Sequence, residues 1–200
     1  MKKSPLPIIA IVLVIVGLVG MAATITFIEP VGPAASGAGG NMDAMFIEQM
    51  IPHHEDAIAM AELALTRAEH PQIKQLAEDV IVTQSAEIDQ MREWYREWFD
   101  SDVPDYGGLF GTTGRRSPGR MGGMMGGGAV DLEDLEAADE FDKVFIEQMI
   151  PHHQMGIMMS RMAGIATDRF ELRGLTQSII ETQSREVVRM QEWYDEWYGR

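Results

Sequence analysis

Four of the five histidines stand in two copies of one nonapeptide, FIEQMIPHH, at Phe46–His54 and Phe145–His153. In each copy a methionine, Met50 or Met149, precedes the His pair by three and four positions. On a helix that spacing puts the three side chains on neighbouring spots of one surface. Imidazole with thioether is a copper donor set: the thioether favours Cu(I), and imidazole serves either oxidation state. Zinc or nickel would take the imidazoles and a carboxylate and ignore the methionines. The chain holds 16 Met and no Cys, so disulfides, thiolate metal sites and thiol nucleophiles are excluded. A single Met on a helix stripe is ordinarily flexible core filler, and Met60 and Met162 read that way. A single His on a core face is ordinarily a hydrogen-bonded core residue. Duplication of the whole His-Met pattern is what sets these residues apart.

The copies belong to a longer internal repeat at an offset of 99 positions, with no gap needed. Thr83-Gln84-Ser85 matches Thr182-Gln183-Ser184, Glu87 matches Glu186, and Met91 matches Met190. EWYREWF at 93–99 matches EWYDEWY at 192–198. Across positions 46–99, 24 of 54 paired residues are identical.

The period within each repeat is helical. Ile47, Met50, Ile51, His54, Ile58, Ala61 and Leu65 form one face, with Asp43 as a candidate N-cap. His70-Pro71 marks a break. Ile73, Leu76, Val80, Gln84, Ile88, Met91, Tyr95 and Trp98 form the face of a second helix. Each repeat is thus a helical hairpin, and two hairpins bury their stripes together as a four-helix bundle, all-α. Pro52 and Pro151 fall about nine residues into the first helix of each hairpin, which means a kink or a late helix start. Folding the first hairpin about residues 68–69 sets His53 opposite position 84 and Met50 opposite position 87. Met50, His53, His54, Glu87 and Met91 then converge at one level, as do Met149, His152, His153, Glu186 and Met190. Glu48, Gln49, Glu147 and Gln148 read as solvated helix faces. The paired tryptophans Trp94, Trp98, Trp193 and Trp197 read as packing at the bundle ends.

Upstream, Lys2 and Lys3 precede an uncharged apolar run, Leu6–Ile28. It spans roughly 34 Å as a helix, enough for a bilayer core. Residues 1–28 read as a transmembrane signal-anchor or a cleaved signal helix, and either places the remainder outside the cytoplasm. Residues 29–42 read as a flexible tether, 43–100 as the first hairpin, 101–130 as a Gly/Met-rich linker with Met121, Met124 and Met125, and 131–200 as the second hairpin. Within the last segment, 131–138 reads as a short leading helix. The formal net charge of −15 argues against nucleic acid and for attraction of metal ions. The long linker permits a bundle within one chain or a homo-oligomer formed by exchange.

The motif F-I-E-Q-M-I-P-H-H, followed about 30 residues later by T-Q-S-x-E-[IV]-x-x-M, resembles domain-of-unknown-function family three hundred and five, also called CopM-like. The resemblance covers 43–99 and 131–198. It implies a ferritin-like four-helix fold, secretion or membrane anchoring, and for some members periplasmic copper binding. Carried over residue by residue, the implied ligands are Met50, His53, His54, Glu87 and Met91, with Met149, His152, His153, Glu186 and Met190. Asp56 and Ala59 stand where the second copy has Met155 and Met158. The expected function is extracytoplasmic copper binding, buffering or resistance, with copper as Cu(I) or Cu(II) and no enzymatic activity. The alternatives are a metal-free structural or interaction module and a ferritin-like di-iron oxidase. The oxidase class wants Glu-x-x-His on its helices, which this chain lacks.

Overall fold

The computed structural model describes residues 38–104 and 130–199, and within them every regular element is a helix. In chain order these are α1 (Ala38–Arg67), α2 (Pro71–Phe99), α3 (Leu132–Ala137), α4 (Phe141–Ala166) and α5 (Phe170–Tyr198). No helix among the described residues is long and apolar enough to cross a membrane. The apolar run Leu6–Ile28 and the linker methionines lie outside the described residues.

Helix α1 packs along α2 and α4 along α5, and the two hairpins meet chiefly through α1 and α4. One helix begins earlier than its candidate cap suggests. Helix α1 starts at Ala38, so Asp43 is a buried residue inside it and not its N-cap. Pro52 and Pro151 lie within continuous helices, which removes the late-start reading. Helix α3 occupies the expected place, its first turn closed by Asp131, whose side chain accepts from Asp134 N at 3.0 Å.

Two apolar clusters fill the bundle. One gathers Met60, Leu76, Leu135, Phe145, Met149 and Met190; the other gathers Phe46, Ile47, Met50, Ile88, Met91 and Leu172. Each such side chain stabilises by roughly 1.5–3 kcal/mol when fully buried. Met60 is core, as its position on the stripe implies, but Met162 is 52% exposed and fills nothing. Between the clusters runs a polar belt: His54 on α1, Gln84 on α2, His152 and His153 on α4, and Gln183 and Glu186 on α5, all buried.

The duplication latches both ends of the bundle by exchange between repeats. Asp43 takes an ion pair from Arg169 Nε at 3.3 Å, and the Arg169 guanidinium lies 4.1 Å over the Trp98 ring. At the equivalent place, offset by 99 positions, Asp142 accepts from His70 Nδ1 at 2.6 Å, and His70 stacks on Trp197 at 3.7 Å. Asp142 also accepts from the backbone N–H of Glu69 at 3.1 Å and of His70 at 2.8 Å, so it closes the α1–α2 turn as well. Arg67 ties that turn to α3 through the carbonyls of Glu136 and Ala138. Trp94 stacks on Trp98 and Trp193 on Trp197, both pairs part of this end packing.

Asp142 is 4% exposed and receives three donors, whereas Asp43 receives one charged partner. Hydrogen bonds to a charged group contribute about 1.5–3 kcal/mol each. Asp142→Ala is therefore expected to lower the free energy of unfolding by about 3 kcal/mol, and Asp43→Ala by clearly less. Urea unfolding of both variants checks the order.

Candidate metal centre

The belt is built around four imidazoles. His54 Nε2–H donates to Glu87 Oε2 at 2.7 Å, and His153 Nε2–H donates to Glu186 Oε2 at 2.8 Å. A carboxylate only accepts, so it holds the proton on Nε2 and leaves Nδ1 with the lone pair in the neutral ring. His54 Nδ1 and His153 Nδ1 are both buried without a hydrogen-bond partner. His53 and His152, one from each repeat, stack face to face with centroids 3.8 Å apart and ring planes 1° from parallel. His53 Nε2 and both ring nitrogens of His152 are likewise buried and partnerless. Each stacked ring stands next to its chain neighbour, with centroids 6.4 Å apart for His53–His54 and 6.2 Å for His152–His153.

Burial dominates the electrostatics. Loss of solvent lowers His53 to about 3, and the neighbouring His54 and His153 push the same way. Loss of solvent also drives His152 well below the ordinary imidazole value, helped by His53, His153 and His54. The stacked pair is therefore neutral at any physiological pH, the form in which imidazole ligates a metal.

The hairpin register differs from the one expected. Helix α1 runs to Arg67 and α2 begins at Pro71, so residues 68–70 form the turn. Contacting partners sum to about 141 in place of 137, and His54, not Met50, meets Glu87. The same register sets Met50 at the level of Met91, and both are fully buried in one apolar cluster. Met149 and Met190 are fully buried in the other. The sequence implies one site per repeat, whereas the His53–His152 stack joins the two into a single belt. As the side chains lie, no three His, Asp or Glu among the described residues form a ready cation cluster. Glu87 and Glu186 face imidazole protons, not lone pairs.

Three contributors stand outside the expected ligand set, although Gln84 lies on the expected helix face. Gln84 and Gln183 are buried, with Gln84 Oε1 and both polar atoms of Gln183 partnerless. Gly156, where the first repeat has Ala57, lets the backbone of α4 come close to them. A Cβ there would lie 2.5 Å from Gln183 Oε1 and 3.0 Å from His53 Nε2. Identity of Thr-Gln-Ser between copies was the available signal for the glutamines; the Gly/Ala difference was the signal for Gly156. Glu48 and Glu147 are not merely solvated: each accepts from a tyrosine on the partner helix, Tyr95 or Tyr194, at 2.6 Å. Gln148 accepts from Asp131 N at 3.1 Å.

The family model described as domain of unknown function (DUF305) matches residues 43–194, both repeats together. The chain belongs to that family. Solved structures of CopM are 43% identical, cover 78% of this chain and 98% of their own, and superpose with a TM-score of 0.67; one is described in the Cu(I)-bound form and another in an Ag-bound form. A DUF305 fragment from Deinococcus radiodurans, 23% identical with a TM-score of 0.62, shares the fold over 78% of this chain and 96% of its own. Uncharacterized protein L153 of Acanthamoeba polyphaga mimivirus is 45% identical over 49 residues, 24% of this chain and about a third (32%) of that relative's length.

The lowered imidazoles make stability depend on pH. Below about 6.5 the unfolded chain protonates these histidines while the folded chain does not. The unfolded state then binds more protons, so stability is full above that value and is lost as pH falls toward about 3, where His53 titrates. Asp56 acts in the opposite sense: burial and then Glu55 raise it to about 7, so its contribution is lost as pH rises toward 7. Two imidazoles outweigh one carboxylate. The urea midpoint is expected to fall between pH 7 and pH 4.5, and to fall less in a His152→Phe variant.

Proposed function

We propose that this protein is an extracytoplasmic copper-binding protein that buffers or sequesters the ion, and that it is not an enzyme. The observation that carries this reading is the set of buried, partnerless imidazole nitrogens in the polar belt. Leaving such groups unsatisfied costs about 1–3 kcal/mol each. An ion that takes their lone pairs removes that cost. In this reading His53, His54, His152 and His153 are the imidazole ligands, with His54 and His153 binding through Nδ1. Glu87 and Glu186 orient those rings from behind, the usual place of a carboxylate that holds a ligating histidine. Met50, Met91, Met149 and Met190 supply thioethers from the apolar clusters on either side, which favours Cu(I). The stacked rings must rotate apart to share an ion, so loading involves side-chain rearrangement. The 43% identity to CopM, solved with Cu(I), Cu(II) and Ag, supports the same choice of metal. Residues 1–28 would tether the bundle to a membrane or direct its export.

A metal-free interaction module is the second reading. The His54–Glu87 and His153–Glu186 bonds would serve it equally, and the partnerless nitrogens count against it.

Calorimetric titration of the full chain with Cu(I), under reducing conditions, should show saturable binding. The combined His53→Ala, His54→Ala, His152→Ala and His153→Ala variant should lose it; unchanged binding there overturns the ligand assignment. Glu87→Ala with Glu186→Ala should weaken affinity about 10–100-fold, as expected of residues that hold ligands in place. A wild-type chain that takes up neither Cu(I) nor Cu(II) supports the metal-free module.

A further inference from the structure

A small cavity of ≈ 10 Å³ lies between α2 and α5. That is about the room needed by one water molecule. The close helix contacts of the bundle run between α1 and α2, α4 and α5, and α1 and α4, which leaves α2 and α5 as the loosely apposed pair. The cavity walls repeat across the duplication. Thr83, Gln84 and Glu87 line one side, Thr182, Gln183 and Glu186 the other, with Val80 and Ile179 at one end.

Three observations give this slit a direction. The two threonines are only partly buried, so the slit starts near solvent. Gln84 and Gln183 are 3% and 2% exposed and carry partnerless polar atoms, so the middle is lined by uncommitted amide groups. Glu87 and Glu186 each pair one carboxylate oxygen with an imidazole, and Gln183 closes with His53 Nε2 on the bare backbone of Gly156. The slit therefore leads from solvent, past two amides and two carboxylates, to the imidazole belt.

We propose that the α2–α5 slit is the portal by which a monovalent metal cation enters and leaves the belt. Hydroxyl, amide and carboxylate oxygens replace parts of its water shell in turn, which lowers the cost of taking a charge into an apolar interior. The carboxylates then have two duties: outward they attract the cation, and inward they hold the imidazoles that receive it. This inference rests on the copper-binding reading, and a rate measurement separates the two.

The test is stopped-flow transfer of Cu(I) from a chromogenic chelator to the full chain, comparing wild type with Thr83→Leu plus Thr182→Leu. The leucines narrow the mouth and leave the belt untouched. Circular dichroism and urea unfolding establish that the variant is folded. Transfer at least tenfold slower, with the final occupancy within twofold of wild type, supports the portal. Transfer at the wild-type rate in the folded variant overturns it, because the ion then enters by another route or by separation of the hairpins. Should the leucine pair prevent folding, Thr83→Val plus Thr182→Val keeps the shape, removes both hydroxyls and is held to the same two outcomes. A wild-type chain that takes no Cu(I) removes the binding reading itself, a result distinct from unaltered rates.

Discussion

Taking three imidazoles, and most of a fourth, out of water is the constraint on which this structure depends. A buried polar ring is costly unless its nitrogens are satisfied, and here several are not. The bundle must supply enough apolar burial elsewhere to bear that cost. It does so with one cluster on each side of the belt and with an aspartate latch at each end. Helix α1 and helix α4, which carry the histidines, form the close contact between the hairpins. The rings lie at the seam between the hairpins, where loss of solvent keeps His53 and His152 from protonating.

Duplication explains why the belt is shared. A single hairpin could hold His54 against Glu87, but the His53–His152 stack needs one ring from each repeat. The same logic governs the ends, where each aspartate takes its partner from the other repeat. The copies have nevertheless diverged where contacts are tightest. His70 stands opposite Arg169, Ala57 opposite Gly156, and Asp56 opposite Met155. Gly156 admits His53 and Gln183 to the backbone of α4, an approach that Ala57 does not offer on α1. The belt is therefore only approximately two-fold, and its two halves have different surroundings.

Much of the fold is legible in the residues. Apolar spacing identifies four long helices, His70-Pro71 marks the first turn, and residues 131–138 announce α3. The errors came from local signals that tertiary packing overrode. Asp43 has the chemistry of an N-cap, but its carboxylate is used by Arg169 inside a longer helix. Pro52 and Pro151 leave a kink or a late helix start open, and the late start falls away because each removes only one backbone donor and the packed helices continue through them. Met162 faces water because it stands nine residues after His153, half a turn round the helix from the buried stripe.

By itself, the sequence determined which donors are available and that each comes twice. Thioether, imidazole and carboxylate recur at helical spacing, and that recurrence is independent of how the hairpins meet. Only the tertiary structure decided how they are arranged. The four-unit difference in the partner sum moved Glu87 from the level of Met50 to that of His54, turned both glutamates toward ring protons, and set the two remaining imidazoles face to face across the interface. Spacing along one helix is settled by covalent geometry, a constant rise and turn per residue. Register between helices, and pairing between repeats, follow from where the turn closes and which side chains interlock, quantities that no single segment contains.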